Sequence, residues 1–184
     1  MKRRVISLLC ATLLSTAVFA DSPSVGQVFD SQFQLVEREI VGLVEAMPAS
    51  KFDFTPSSAD IKGSDFQGVR SFAQQAKHLA TNIYDFSAAV LGEKPPVEIN
   101  DGEGPRSVQT KEQVVAYLKG SFAYGHKALL SLTEKNQMEH AAGRGTRLGD
   151  AVFLMWHSLD HYGQMVEYAR MNGVVPPASQ PGSR

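Results

Sequence analysis

Four long segments of the chain place apolar residues at steps of three and four, which is the pattern of an amphipathic helix. They cover about residues 25–47, 71–91, 110–134 and 148–172. Helices of this length bury their apolar faces by packing against one another. The sequence therefore predicts an all-α fold, a four-helix bundle, and it contains neither an internal repeat nor a strand-like hairpin pattern.

Several residues at the ends of these segments support the boundaries. Gly92 follows the second helix, where a left-handed residue commonly ends a helix. Thr110 and Gln113 fit a capping box at the start of the third helix. Gly173 follows the fourth helix, and two prolines shortly after it prevent the helix from continuing.

The first two helices are joined by an unusually long segment, ASKFDFTPSSADIKGSDF. It follows Pro48, which ends the first helix, and it mixes alternating aromatic residues with proline and small polar residues. The second helix then begins at Gly68 or Ser71. We therefore predict a long extended crossover between helices one and two.

Two glycines interrupt the third helix, at Gly120 and Gly125. Glycine weakens an isolated helix because it loses the most backbone freedom on folding. The alternative role is to let a neighbouring element approach closely. The sequence leaves both interpretations open.

The first twenty residues have the organisation of a secretory signal peptide. A basic start at residues 2–4 precedes an apolar run over residues 5–19, which is too short to cross a bilayer comfortably. Small residues then occupy the two key positions before Asp21. We expect residues 1–20 to be removed and the protein to be secreted or periplasmic. An uncleaved N-terminal anchor is the alternative.

Cleavage would leave one domain, residues 21–184, with a mobile tail over about residues 178–184. The only cysteine, Cys10, lies in the signal, so a mature domain without disulfides must be held by its core, or by its core and a metal. Three of the 18 basic residues also lie in the signal, which leaves 15 against 19 acidic residues. This balance argues against nucleic acid as a partner, and no later apolar run is long enough for a membrane span.

The fourth helix carries two of the five histidines, His157 and His161. Two imidazoles at positions i and i+4 lie one turn apart and lean the same way, so both can reach one metal ion. Packed core histidines are the competing interpretation. Ser158 stands where a zinc protease of the H-E-x-x-H type has glutamate, which argues against that class.

A third ligand must come from another helix, and His78 is the best candidate. It lies between Ala76 and Leu79 on the apolar side of the second helix, and a bundle can bring it opposite a pair on another helix. The result would be a three-histidine site with open positions for water or substrate. His126 is the substitute for His78, whereas His140 lies in a polar loop and should be exposed.

Other polar residues near these positions have less specific roles. Asp160 either orients an imidazole or is an ordinary surface acid. Gln164 lies one turn beyond His161 and would point toward the same opening. Arg170 suits the negative end of the fourth helix. Three tyrosines are either hydrogen-bond donors in the site or packing residues: Tyr84, Tyr124 and Tyr162.

The fourth helix resembles the last-helix motif of the DinB-like family. In WHSLDHYGQMVEYARMNGVVPP the pattern H-x-x-x-H-x-G-Q is followed by Y-x-R-x-N-G-x-x-P-P. The matching residues are His157, His161, Gly163, Gln164, Tyr168, Arg170, Asn172, Gly173, Pro176 and Pro177. AKHLATNIYDF resembles the family's second-helix segment, whose histidine corresponds to His78, and the crossover is similar as well.

The resemblance covers nearly all of the mature chain. It implies a four-helix bundle with a long connection and a divalent metal (zinc, nickel, iron or manganese) held by His78, His157 and His161. The better-understood relatives are transferases and isomerases that use low-molecular-weight thiols.

Two functions remain open at this point. The first is a metal-dependent hydrolase or thiol transferase acting on a small molecule, for which the sequence offers no dedicated general base. The second is a non-catalytic bundle that binds a metal, a ligand or a partner. No nucleic acid partner is expected, nor a membrane partner after signal cleavage, whereas a homodimer is compatible with the sequence.

Overall fold

A computed structural model of the chain describes residues 22–140 and 145–182. The described part is helical, with four long helices: α1 (Val25–Ala46), α2 (Phe72–Leu91), α3 (Lys111–Leu130) and α4 (Arg147–Met171). The described residues contain no strand, only an isolated bridge between His140 and Thr146. The predicted four-helix bundle is thus confirmed. The predicted signal peptide and the end of the tail lie outside the described residues.

Capping residues begin each helix where the sequence predicted. Ser24, Ser71 and Thr110 each accept a hydrogen bond from the third residue of the helix, and the glutamine there returns one to the cap. Gly92 ends α2 in the left-handed conformation, and Gly173 follows α4 with a φ of 75°. These local signals fixed the predicted boundaries to within a residue or two, except at the end of α3.

The predicted end of α3 was wrong, because the helix stops at Leu130 rather than near residue 134. Thr133 and Asn136 form a local turn instead, each accepting the other's backbone N–H through its side chain. Such side chains offer the backbone an alternative to helical hydrogen bonds. Leu132, which extended the apolar pattern, is still buried, but in a loop.

The four helices are arranged so that α2 packs against both α3 and α4, and α1 packs against the same two helices. Helices α1 and α2 therefore occupy diagonal corners, and the crossover has to pass from one to the other. The core between them is filled by fully buried large side chains, which include Phe33, Phe122, Leu79 and Met165. None of the described helices is long and apolar enough to cross a membrane.

The crossover is attached to the start of α2 by main-chain hydrogen bonds. The N–H groups of Phe72 and Ala73 donate to the carbonyl oxygens of Phe54 and Phe52, at 3.0 and 2.8 Å. Because the first N–H groups of a helix have no partner within the helix, these bonds satisfy them and hold the crossover. The Phe54 ring also contacts Tyr168 of α4, with ring centroids 5.8 Å apart.

The far end of the described chain returns to the bundle. Pro177–Ser179 form a short 3-10 turn that packs against α1. Ser183 and Arg184 lie outside the described residues, and the predicted mobility of the tail stays a prediction.

Candidate metal centre

The structure brings His78, His157 and His161 together where α2 faces α4. The ring of His78 lies 5.7 Å from that of His157 and 4.9 Å from that of His161, centroid to centroid, and the two α4 rings are 4.5 Å apart. One nitrogen from each ring lies within 4.8 Å of the other two. The cluster is one that can hold a metal ion, as the spacing and the resemblance suggested.

The separations are close to those of a metal site. Bonds of about 2.0–2.1 Å place two imidazole nitrogens on one tetrahedral ion about 3.4 Å apart. From the upper limit of 4.8 Å, each of two side chains would move by only about 0.7 Å to reach that separation. The required shift is of the size that a small side-chain rotation supplies.

His157 carries the clearest sign that a group is meant to bind here. Its Nε2 is buried and has no hydrogen-bond partner among the described residues. An unsatisfied buried polar atom costs about 1–3 kcal/mol, so native proteins rarely keep one without a reason. The ring is held in place by stacking on Phe153, with centroids 5.0 Å apart. A metal ion would use the lone pair that nothing else uses.

His78 is oriented by a loop between α2 and α3. Its Nδ1 lies 2.9 Å from the carbonyl oxygen of Gly102, and because a carbonyl only accepts, Nδ1 must carry the proton. Nε2 then keeps its lone pair, toward which the side-chain amide of Asn82 donates from 3.0 Å. A metal held at Nε2 would replace this amide, which also donates to the His78 carbonyl.

The loop approaches His78 so closely that only glycine fits. Gly102 has a φ of 89°, and a Cβ there would lie 3.0 Å from Cε1 of the imidazole. The two preceding residues, Asn100 and Asp101, are also left-handed, with φ values of 45° and 53°. Asparagine and aspartate adopt this conformation more readily than other side chains do, and the turn that they form with Gly102 brings the Gly102 carbonyl to the ring.

His161 is oriented by a relay of side chains that ends at the surface. Its Nδ1 donates to Oε1 of Gln75 at 2.6 Å, and Nε2 of Gln75 donates to Oε1 of Gln164 at 2.8 Å. Nε2 of Gln164 in turn donates to the Asp160 carboxylate at 3.1 Å. All three bonds run in the same direction, so the exposed carboxylate fixes the proton on Nδ1 and leaves Nε2 for a metal.

The relay shows what Asp160 and Gln164 contact, which the sequence alone did not establish. It also includes Gln75, which the sequence analysis missed. Asp160 is a surface acid that also acts on an imidazole, but only through two glutamines. Gln164 does point toward the site opening. Gln75 was not recognised, although it lies one turn before His78 on a stripe that is otherwise apolar, and its exposed fraction is only 3%. A buried amide on such a stripe needs partners, which was the available signal.

The surroundings keep all three imidazoles neutral. Burial, helped by the two neighbouring imidazoles and by the guanidinium of Arg70, lowers the pKa of His161 to about 3. Burial lowers the pKa of His78, with Arg70 as the next cause, and it also lowers the pKa of His157. Metal binding requires the neutral ring, so near neutral pH no proton has to be displaced.

The other two histidines lie apart from this cluster. His126 joins α3 to α1, with Nδ1 2.7 Å from Asp30 and Nε2 3.1 Å from Glu37. Its two nitrogens are therefore already engaged, and it does not take the place of His78. His140 is exposed, as expected.

The tyrosines considered as donors are packing residues in this structure. Tyr84 contacts Tyr124 ring to ring on the α2–α3 side, and Tyr124 donates to Glu93 at 3.1 Å. Tyr162 packs partly buried against the core. Arg170 lies in the last turn of α4, as the dipole argument predicted.

An open cavity of about 450 Å³ reaches the cluster at His161. His161, Gln75 and Gln164 form one part of its wall, and Arg70 and Glu103 another. A cavity of this size accommodates a small molecule. Solvent therefore reaches the cluster at His161 through a polar opening.

We expect Gln75→Ala to weaken metal binding about 10- to 100-fold, as loss of a partner behind a metal ligand commonly does. His161 would lose the acceptor that fixes its proton on Nδ1. Gln75→Glu keeps an acceptor there and should retain most of the affinity. Metal titration of the three proteins measures the effect, and equal affinity in wild type and Gln75→Ala would show that the relay does not support the site.

Comparison with known proteins identifies a family to which the chain is similar. A family model described as the DinB superfamily matches residues 32–165, a range that contains all three histidines of the cluster. No curated protein matches the chain.

Proposed function

Because this chain belongs to the DinB superfamily, we propose that it is an exported, divalent-metal-dependent enzyme that acts on a small molecule. The metal would be held by Nε2 of His78, His157 and His161. The reaction would be hydrolysis or thiol transfer.

The observation that carries this proposal is a cluster of three histidines, one of which, His161, lines an open cavity of about 450 Å³. A structural metal site is closed by four protein ligands, whereas a catalytic site has three and leaves a position for water or substrate. Three imidazoles suit zinc, nickel or iron best, and manganese is the remaining candidate. When bound, the metal would supply a Lewis acid that polarises a substrate oxygen or sulfur, or activates a water.

The protein's own residues have defined tasks in this proposal. Gly102 and Gln75 hold the protons of His78 and His161 on Nδ1, which keeps the opposite nitrogens available. Phe153 holds the ring of His157. The amide groups of Gln75 and Gln164 line the cavity, where they can position a polar substrate by hydrogen bonds.

The N-terminal signal pattern supports export to a secreted or periplasmic location. There the protein would act on a small-molecule substrate, with no nucleic acid or membrane partner. A homodimer is compatible with this proposal. The competing proposal is a metal-binding bundle without catalysis. One observation supports it: no carboxylate of the described residues belongs to the cluster, so the cluster itself offers no acid or base for catalysis.

The test is turnover by the protein stripped of metal and reloaded separately with zinc, nickel, iron(II) and manganese. p-Nitrophenyl acetate reports hydrolysis, and glutathione with 1-chloro-2,4-dinitrobenzene reports thiol transfer. We expect turnover with at least one metal, its loss in His161→Ala and its retention in His140→Ala, which removes an exposed histidine. Metal that binds with no turnover above the stripped protein would support the non-catalytic alternative, and equal turnover in His161→Ala would contradict the proposed site.

A further inference from the structure

Arg70 is a cation on the wall of the cavity that reaches the three-histidine cluster at His161. It shares that wall with His161, Gln75 and Gln164, and about 35% of its side chain is exposed. Among the described residues, its hydrogen bonds both go to one oxygen of Glu103, from Nε at 3.3 Å and from an Nη at 2.8 Å. These two bonds use only two of the five N–H donors of the guanidinium.

The position of Arg70 is set by rigid neighbours on both sides. It directly precedes Ser71, which caps α2 through hydrogen bonds with Gln74. Its partner Glu103 directly follows Gly102, whose carbonyl orients His78. The ion pair therefore joins the crossover to the loop that supports a proposed ligand, and it holds the guanidinium at the wall of the cavity.

The charges around the cavity favour the binding of an anion. Three neutral imidazoles do not neutralise a divalent cation, in contrast to carboxylate ligands. The two nearby acids are both engaged, Glu103 with Arg70 and Asp160 with Gln164. A loaded site would consequently carry excess positive charge beside the guanidinium, and closely placed cations attract anionic ligands.

We propose that Arg70 binds a carboxylate group of the substrate, so that the cavity selects small carboxylic acids over neutral analogues. This inference rests on the proposed function, because the reacting part of the substrate must then lie at the three histidines. The guanidinium of Arg70 already binds one carboxylate, that of Glu103, and a carboxylate is the group that a guanidinium binds well. A substrate carboxylate would share or replace this contact.

Calorimetric titration of the zinc-loaded full chain with benzoate, and with benzamide as its neutral analogue of similar shape, tests the proposal. We expect benzoate to bind the wild type more tightly than benzamide does. Arg70→Gln should weaken benzoate about 10- to 100-fold, the range for loss of hydrogen bonds to a charged group, and leave benzamide unchanged. Arg70→Lys keeps the positive charge but loses the planar set of N–H donors. Its affinity for benzoate should lie between that of wild type and that of Arg70→Gln.

Arg38→Gln is the matched control, since it removes an exposed arginine on α1, and it should bind benzoate as the wild type does. The zinc affinity of Arg70→Gln should be unchanged or higher, because a cation near a dication is removed. A lower zinc affinity would overturn the proposal by showing that Arg70 acts through the His78 loop.

Equal benzoate affinity in wild type and Arg70→Gln would overturn the proposal, as would a zinc-loaded wild type that does not bind benzoate. In both cases bound zinc would leave the proposed function intact. A wild type that binds none of zinc, nickel, iron(II) and manganese would overturn the proposed function and this inference together, so the two failures are distinguishable.

Discussion

Replacing His157 with alanine will remove most of the bound metal and leave the helical bundle folded. A direct ligand should cost more than the roughly 10- to 100-fold loss that follows removal of a residue behind a ligand. In the metal-free protein the same change deletes the buried Nε2 that has no partner, which relieves a penalty of about 1–3 kcal/mol. This relief offsets the packing that the ring loses against Phe153.

Metal analysis of the purified proteins measures the first effect, and thermal unfolding with and without metal measures the second. Wild type should gain stability as metal is added, because a ligand that binds only the folded state stabilises it, whereas His157→Ala should show almost no such gain. His140→Ala is the control and should behave as wild type. Equal metal content in wild type and His157→Ala would refute the metal centre.

The second large effect is expected at Gly125, where alanine should destabilise the fold. A Cβ at this position would lie 2.6 Å from Cε1 of Phe33 and 3.4 Å from Cγ2 of Ile83. Phe33 is fully buried and is itself packed against Phe122, with ring centroids 4.9 Å apart. The ring therefore has little room to move, and overpacking of this kind costs about 1–3 kcal/mol.

Gly163→Ala should have the opposite effect on stability, although Gly163 is a helical glycine like Gly125. Gly163 lies within α4, and a Cβ there would have no neighbour within 4 Å. Alanine should stabilise this helix by about 0.5–1 kcal/mol. Denaturant unfolding of both variants checks the pair. If Gly125→Ala were as stable as Gly163→Ala, the close approach of α1 to α3 would not limit the fold.

The sequence was sufficient for those features that are encoded by residues close together in the chain. Thr110 and Gln113 predicted the start of α3, because both partners of the capping box lie within one turn. The i, i+4 spacing of His157 and His161 placed both rings on one face for the same reason. His78 needed a further assumption about which helices face each other, and the resemblance to the family supplied support for it.

Features that depend on distant contacts were not predictable in this way. The role of Gln75 depends on Gln164 and His161, which lie on another helix, and the role of Gly102 depends on a loop that folds back on His78. Gly125 was ambiguous in the sequence because only packing distinguishes a weakened helix from a close approach. The structure assigns it the second role, since Phe33 occupies the space that a side chain would need.

The placement of the ligands on two helices has a consequence for how this protein keeps its shape. His78 and His157 are separated by a long stretch of chain that includes all of α3, so an ion held between them would close a large covalent loop. An ion that binds only the folded chain stabilises it, and the gain rises with the concentration of free ion. With only one cysteine, the chain can form no internal disulfide. A bound metal would instead link the two helices reversibly, and this link would form or be lost with the supply of the ion.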